Sequence, residues 1–375
     1  MNTLLGKLKK HIVDNCITCG NCVKICPSIE IAELTTIKPN EIQQQLFNFV
    51  KNNTKNEIVS KRIDSCLECF KCLDCCPENI NPLSFIEVAK SISFEKGDDP
   101  YINTVADDYS SHYDTINREL TEKERDCILK QSETCDTTYV FFPGCNIYKR
   151  PDILLKVKEM LNCITHDIAF IPGIKFCCGD NYLFNGRFKK AEEKYIALTE
   201  VVNDYNPDEV ILWCPTCLTR IKKMWNSQLK LTSFFQFCLE NIHKLNFVNF
   251  ECQKKVTLHE PCKTAYTGMD LSHRNIMKNI PNIFLTEMKS GIKCCGSGGM
   301  AHFKKNTLKL ITDKRLNEAV ETGAEMLITV CHYCQEVFDD RNEYEELKII
   351  NLAELLYDNL KIHEKQLRPG TVLGR

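Results

Sequence analysis

Ten cysteines of this chain fall into two sets of five related by one offset. Cys145, Cys177, Cys178, Cys214 and Cys217 form the first set. Cys262, Cys294, Cys295, Cys331 and Cys334 form the second, and each lies 117 residues beyond its counterpart. Five agreements at one offset mark a duplicated unit, and a repeat decides architecture before any local pattern does. The flanks agree as well, CCGD against CCGS and WCPTC against VCHYC. TYVFFPGC and EVILWCPTC are short β-type runs ending at Cys, repeated by KKVTLHEPC and EMLITVCHYC. Helical patterns lie between them. RPDILLKVKEML has Pro151 in a first turn and Ile153, Leu154, Val157 and Leu161 on one face; GRFKKAEEKYIALTEVVNDYN follows the first CCG and TLKLITDKRLNEAVETG the second. Strands alternating with helices predict parallel α/β units. Ligands of such sheets gather beyond the carboxyl ends of the strands, which is where Cys145, Cys214, Cys262 and Cys331 fall. The five thiols of each half are therefore expected to converge on one crevice.

Five thiolates exceed the four of a cubane, so each set suits a non-cubane cluster with extra iron coordination. The Gly after each pair, Gly179 and Gly296, is expected to let the backbone pass close to inorganic sulfide without a Cβ clash. GSGG at 296–299 lacks the GxGxxG frame and the Lys of a P-loop. No flavin or nicotinamide fingerprint is present, so electrons are expected from another protein or a small molecule.

The first third carries a second cysteine pattern. CITCGNCVKICP (16–27) and CLECFKCLDCCP (66–77) each match C-x2-C-x2-C-x3-C-P. Three Cys at two-residue intervals let one tight loop aim its sulfurs at one cubane, and the fourth reaches the other cluster in two-cluster ferredoxins. Cys16, Cys19, Cys22 and Cys76 are assigned to one cubane 4Fe-4S cluster, and Cys66, Cys69, Cys72 and Cys26 to the other. Structural zinc gives no reason for two copies of a four-Cys run with a trailing Pro. Cys75 stands one residue out of register and reads as a bystander. Between the runs, PNEIQQQLFNFVKNN (39–53) has Pro39 suited to a first turn and Ile42, Leu46, Phe49 and Val50 at helical spacing.

With 24 Cys in 375 residues, the compartment matters. The start MNTLLGKLKKHIVDN lacks a continuous apolar h-region and a cleavage site, so no signal peptide is predicted. A long chain in a reducing cytoplasm uses clustered Cys for metal rather than disulfides. Lys+Arg 48 against Asp+Glu 50 gives no basic excess for nucleic acid. No run of 18 apolar residues predicts a membrane span. The chain is expected to divide into an α-helical ferredoxin domain (1–96), a solvated, Asp-rich linker (97–135), two duplicated domains (136–250 and 251–361) and a tail (362–375).

The segment between the two runs resembles the α-helical ferredoxin module of succinate dehydrogenase iron–sulfur subunits and of the heterodisulfide reductase C subunit. The duplicated CCG domains resemble those of the heterodisulfide reductase B subunit. The whole, over roughly residues 10–340 and all 18 cluster cysteines, resembles the heterodisulfide reductase D subunit. The resemblance implies Rossmann-like α/β CCG domains. It implies a non-cubane cluster on each five-Cys set, the pair splitting the disulfide of coenzyme M and coenzyme B. The same architecture occurs in iron–sulfur subunits of glycolate oxidase and anaerobic glycerol-3-phosphate dehydrogenase, which pass electrons from a flavin subunit toward quinone. The first reading is thus a cytoplasmic redox subunit taking electrons from a flavoprotein or ferredoxin partner through the two cubanes to the CCG domains, where a small disulfide is reduced. The ten CCG cysteines are then catalytic. The alternative is an electron relay for a flavin-dependent dehydrogenase. A membrane partner is compatible with either.

Other residues near the clusters have plainer roles to set against functional ones. His259 in HEPC and His332 in CHYC are candidate proton donors, because imidazole titrates near neutral pH. The plainer role is a hydrogen bond to a cluster sulfur. Lys175, Lys293, Lys263, Arg220, Lys222 and Lys223 read as a solvated basic face that steers anions. Cys127, Cys135, Cys163, Cys238 and Cys252 fit no ligand spacing. Four four-iron centres require about 16 Fe per chain. Anaerobic metal analysis should find that amount without zinc, and about 8 Fe would remove the clusters of the duplicated half.

Overall fold

Two four-stranded sheets carry the duplication into three dimensions. The computed structural model describes residues 3–97, 109–224, 229–247, 253–264, 270–298 and 305–361. The first sheet holds β1 (Tyr139–Phe142), β2 (Ile168–Phe170), β3 (Glu209–Leu212) and β4 (Leu231–Ser233). The second holds β5 (Lys254–His259), β6 (Ile283–Leu285), β7 (Met326–Thr329) and β8 (Lys348–Asn351). The orders are β2-β1-β3-β4 and β6-β5-β7-β8, and every pairing is parallel. Even the register repeats: Tyr139 faces Glu209, and Val256 faces Met326. The central strands β3 and β7 are buried throughout, as expected of parallel strands covered on both faces. Each half is therefore a parallel α/β unit, as expected, and its strand order begins the flavodoxin-like 2-1-3-4-5 series.

The crossover helices follow their sequence signals. Pro151–Ile164 starts on Pro151 and buries Ile153, Leu154, Val157 and Leu161. Phe188–Asn203 and Lys305–Glu321 follow the two CCG pairs. One core runs through both halves, from Phe141, Ile211 and Trp213 to Leu258, Ile328 and Leu356.

The N-terminal module is helical, as its pattern predicts. Pro39–Asn52 buries Ile42, Leu46, Phe49 and Val50, and ends where Asn53 takes a left-handed φ of 59°. Asn56 caps Glu57–Asp64 by accepting from Val59 N at 3.0 Å. Pro82–Glu95 is buried on nearly every face, the mark of a helix enclosed by its neighbours. Tyr182, Leu183 and Phe184 of the first CCG domain complete this module's core. No helix among the described residues is long and apolar enough to cross a membrane.

The linker expected at 97–135 differs in part. Ser110–Glu119 and Glu122–Leu129 are helices, the second closed by a capping box between Thr121 and Glu124. Ile116 and Ile128 are fully buried in the core of the duplicated half. Two isolated isoleucines make no helical period, so the docking was not legible from pattern. Residues 98–108 and the expected tail 362–375 lie outside the described residues.

All three modules meet at Arg220. The sequence reading placed it on a solvated face, but its side chain is fully buried among carboxylates. Nε donates to Asp180 Oδ1 at 2.6 Å, Nη1 to Glu87 Oε1 at 2.6 Å, and Nη2 to Glu68. Lys263, also buried, sets Nζ 3.5 Å from Glu68 Oε2 and 3.8 Å from Asp180 Oδ2. Glu68 and Glu87 belong to the ferredoxin module, Asp180 and Arg220 to the first CCG domain, and Lys263 to the second. The Phe70 ring packs 5.5 Å from Arg220 and 4.7 Å from Lys263. Replacing Arg220 with Met leaves Glu68 and Asp180 to Lys263 and strips Glu87 of its hydrogen-bonded ion pair, and breaking a buried pair in this way costs about 3–5 kcal/mol. Anaerobic denaturant unfolding should register that loss, while Lys190→Met on the surface should cost under about 0.5 kcal/mol. An Arg220→Met cost below about 1 kcal/mol would show that the junction does not depend on this guanidinium.

Candidate metal centres

The two ferredoxin loops have one backbone shape. Thr18 and Gly20 flank Cys19 with left-handed φ of 54° and 81°, and Glu68 and Phe70 flank Cys69 with 50° and 63°. Phe70 adopts what Gly20 adopts freely, a strain of roughly 1–2 kcal/mol. Its ring is fully buried between the modules, and that packing holds it there. Cys16, Cys19, Cys22 and Cys76 line one small cavity with Gln43 and Pro77, and Cys75 is not among its lining residues. Cys22 Sγ donates to Gln43 Oε1 at 3.2 Å, whereas Cys75 Sγ turns to the Cys72 carbonyl at 3.1 Å. Cys26 lies in the electrostatic neighbourhood of Cys66, Cys69 and Cys72. Cys76 thus stands beside the thiols of the first loop and Cys26 beside those of the second.

Burial pushes these thiols up, Cys22 and Cys69 to about 12 and Cys66 to about 11. As thiolates they need compensating cations, and two stand ready. Arg62 is buried with Nε and Nη1 lacking a hydrogen-bond partner. Burial works against its charge, but Cys26, Cys66, Cys22 and Cys72 outweigh that and raise it. Lys90 Nζ is likewise buried without a hydrogen-bond partner, over the Phe184 ring at 3.1 Å and near Cys66; burial lowers it to about 8. Orphaned donors around eight converging thiols fit two anionic iron–sulfur clusters.

In the duplicated half the thiols form two matching chains of contact. Cys145 meets Cys177, which meets Cys178, then Cys217, then Cys214. Cys262, Cys294, Cys295, Cys334 and Cys331 repeat that order. Cys178 and Cys295 occupy the middle, each held well below the ordinary thiol range by hydrogen bonds from the thiols on either side. Gly179 N donates to Cys177 Sγ at 3.4 Å and Gly296 N to Cys294 Sγ at 3.3 Å. Both glycines have positive φ, 81° and 102°. The reason differs from the sulfide clearance expected: a Cβ at Gly179 would lie 2.6 Å from the Ala191 carbonyl, and one at Gly296 3.0 Å from Thr312 Oγ1. The following helix crowds these positions. The two halves touch where Cys331 neighbours Cys214, and Cys69 of the ferredoxin module neighbours Cys262.

The remaining candidates separate cleanly. His259 is fully buried, accepts from Arg315 Nε at 3.1 Å, and is held well below the usual imidazole range by burial and Arg315. His332 accepts from Trp213 Nε1 at 3.1 Å and is lowered to about 3, chiefly by burial. Both rings are buried and hydrogen-bonded to protein side chains. Lys175, Lys222 and Lys293 are exposed as expected, and the Lys223 side chain lies outside the described residues. Lys263 and Arg220 are buried in the junction. Cys127, Cys135 and Cys163 are partly or fully exposed, Cys238 is buried, and Cys252 is outside the described residues. Sequence reasoning missed Arg62 and Lys90, which look like ordinary helix-surface cations. It also missed Tyr109, whose hydroxyl meets Cys145, and Ser297, 3.1 Å from Cys295 Sγ. Only the 117-residue offset could have flagged Ser297. Cys76→Ser should damage the cluster held by Cys16, Cys19 and Cys22, while Cys75→Ser should leave both cubanes intact. Equal loss in the two variants, read by electron paramagnetic resonance after reduction, would show the register to be wrong.

Comparison with known proteins agrees with this inventory. Residues 15–81 match the 4Fe-4S dicluster domain family, and residues 139–222 and 256–339 each match the cysteine-rich domain family. The chain is 24% identical over 363 residues to the fumarate reductase (CoM/CoB) B subunit of Methanothermobacter marburgensis, covering 91% of this chain and 71% of that one. It is 23% identical over 363 residues to the dihydromethanophenazine:CoB–CoM heterodisulfide reductase D subunit of Methanosarcina acetivorans, covering 86% and 87%. The anaerobic glycerol-3-phosphate dehydrogenase C subunit of Escherichia coli K12 is 25% identical over 214 residues, covering 52% and 53%. The chain thus carries a 4Fe-4S dicluster domain ahead of two cysteine-rich domains, and over most of its length it resembles iron–sulfur redox subunits such as the heterodisulfide reductase D subunit.

Proposed function

We propose that this chain takes electrons from a flavoprotein or ferredoxin partner through two cubane centres and reduces a small disulfide at the duplicated half. One observation carries the reading. Cys69 of the ferredoxin module and Cys262 and Cys294 of the second CCG domain line the same cavity of about 760 Å³. A volume of that size takes a small-molecule substrate. It places thiols of an entry centre and of a terminal centre around one open space, close enough for Cys262 to affect Cys69 electrostatically. Clusters on these cysteines would supply electrons one at a time.

The chain's own residues define the rest. Leu67, Ile292, Leu310 and Ile311 make an apolar wall for an aliphatic substrate arm. Lys71, Lys293, Lys314 and Arg315 line it together with Glu30, Glu33 and Glu318, so both signs of charge border the space. Cleavage of a disulfide takes two electrons and two protons and releases two thiols. His259 does not line the cavity, so the protons are supplied from the open solvent side rather than by that ring. Centres on the two five-Cys sets would together hold the two electrons that one disulfide takes.

The relay remains the second reading because a relative of half this chain belongs to a glycerol-3-phosphate dehydrogenase. The wild-type chain, chemically reduced without oxygen, separates the two. Mixed with the coenzyme M–coenzyme B heterodisulfide, it should reoxidise and release two thiols per disulfide. Cys178→Ala and Cys295→Ala should each abolish this while dithionite still reduces the cubanes. No reoxidation by any disulfide, together with rapid reoxidation by a quinone or a flavoprotein, would replace the first reading with the relay.

A further inference from the structure

The duplicated halves repeat the same thiols in the same order, but not the same surroundings. The offset of 117 pairs His259 with Phe142, Ser297 with Asp180 and Arg315 with Leu198. In the second half a ring nitrogen of His259 and the sulfurs of Cys295 and Cys334 lie within 4.8 Å of one another. Arg315 Nε donates to His259 Nδ1 at 3.1 Å. A guanidinium accepts nothing, so Nδ1 holds the lone pair and Nε2 carries the hydrogen. Nε2 is buried without a hydrogen-bond partner, in the same cluster as the sulfurs of Cys295 and Cys334. Ser297 Oγ lies 3.1 Å from Cys295 Sγ and becomes the donor once that sulfur is a thiolate.

The first half answers with different chemistry. Phe142 puts a hydrocarbon ring at the position of His259, and Asp180 puts a carboxylate at the position of Ser297, where it acts electrostatically on Cys178. A side-chain donor in the first half is Tyr109, which meets Cys145 rather than the central Cys178. A reduced centre carries one more negative charge than an oxidised one. Donors to its sulfurs stabilise the reduced form. The Asp180 carboxylate is paired with Arg220 and Lys263, so the difference between the halves rests on the donors.

We propose that the second CCG domain holds the centre of higher reduction potential, and that His259, fixed by Arg315, and Ser297 are the positioning residues that raise it. Electrons then collect at the half whose Cys262 and Cys294 open on the cavity, and the first half is the lower-potential store behind it. The inference rests on the reading of both sets as iron–sulfur sites. The same ring geometry argues against His259 as an iron ligand, since a metal on Nε2 with Nδ1 accepting would require an imidazolate.

The test is a redox titration of the anaerobically purified full chain, followed by electron paramagnetic resonance. Two waves are expected from the duplicated half, with Cys295→Ser removing the higher and Cys178→Ser the lower. His259→Phe, which installs the residue of the first half, should lower the higher wave by about tenfold in the reduction constant, or ~59 mV for one electron. Iron content and the lower wave should stay unchanged. Ser297→Ala should shift it in the same direction by less, and Tyr109→Phe should move only the lower wave. His259→Gln keeps an N–H donor and should retain the higher wave; together with Ser297→Ala it carries the test if His259→Phe does not load iron. Coincident waves, a higher wave that vanishes in Cys178→Ser, or a higher wave unmoved by His259→Phe would each overturn the proposal. So would selective iron loss in His259→Phe and His259→Gln alike, which would make His259 a ligand. A wild-type chain with only about 8 Fe would be recognised separately, as failure of the underlying iron–sulfur reading.

Discussion

Arg220 sits where a guanidinium is most costly to bury, and the arrangement of the modules depends on it. Its three carboxylate partners each arrive from a segment attached to a cluster loop or its supporting helix: Glu68 between Cys66 and Cys69, Asp180 directly after the first CCG, and Glu87 from the enclosed helix Pro82–Glu95. Lys263, directly after Cys262, closes the group. A charge stripped of water is tolerated only when it is paired and hydrogen-bonded, so these segments are held in one mutual geometry. Electron transfer between modules needs such fixed spacing. A loosely tethered ferredoxin domain would not keep Cys69 beside Cys262.

The same problem of charge in a dry interior recurs at every thiol set. Burial pushes most of the free thiols up, and the protein answers with donors and cations placed before any metal arrives. Arg62 and Lys90 stand by the cubane loops, Gly179 N and Gly296 N by the CC pairs, and Arg315, through His259, by the second set. None of these groups is itself a cluster ligand in our assignment. Their orientation is nevertheless what lets ligands become thiolates, because a hydrogen bond to the charged form favours it.

Duplication explains the frame, and divergence explains the use. Strand order and register repeat at the offset of 117, as do the starts of Phe188–Asn203 and Lys305–Glu321. The shared core that runs from Phe141 to Leu356 makes the two halves one body rather than two beads. On that common frame the second half replaces Phe142 and Asp180 with His259 and Ser297, and its Cys262 and Cys294 open on the large cavity. Identical ligand sets therefore sit in unlike electrostatic settings.

Cysteine spacing, strand–helix alternation and proline-started helices are local in the chain, and they were legible. The helix at Pro39–Asn52, the duplicated parallel sheets and the convergence of the thiols all follow from patterns of period 2, 3.6 or 117. What escaped depends on which residues meet from far apart. Arg220 and Glu68 are 152 positions apart, and nothing near either one in the chain distinguishes a solvated cation from a buried one. Likewise His259 looks like an acid beside a ligand until Arg315, 56 positions on, takes its Nδ1. The amino-acid sequence by itself determined the ligand inventory and the repeated α/β frame, because those are matters of spacing along one backbone. Tertiary structure alone decided the protonation of the buried groups, the partner of each charge and which half faces the cavity, because desolvation and pairing exist only once distant segments have excluded water together.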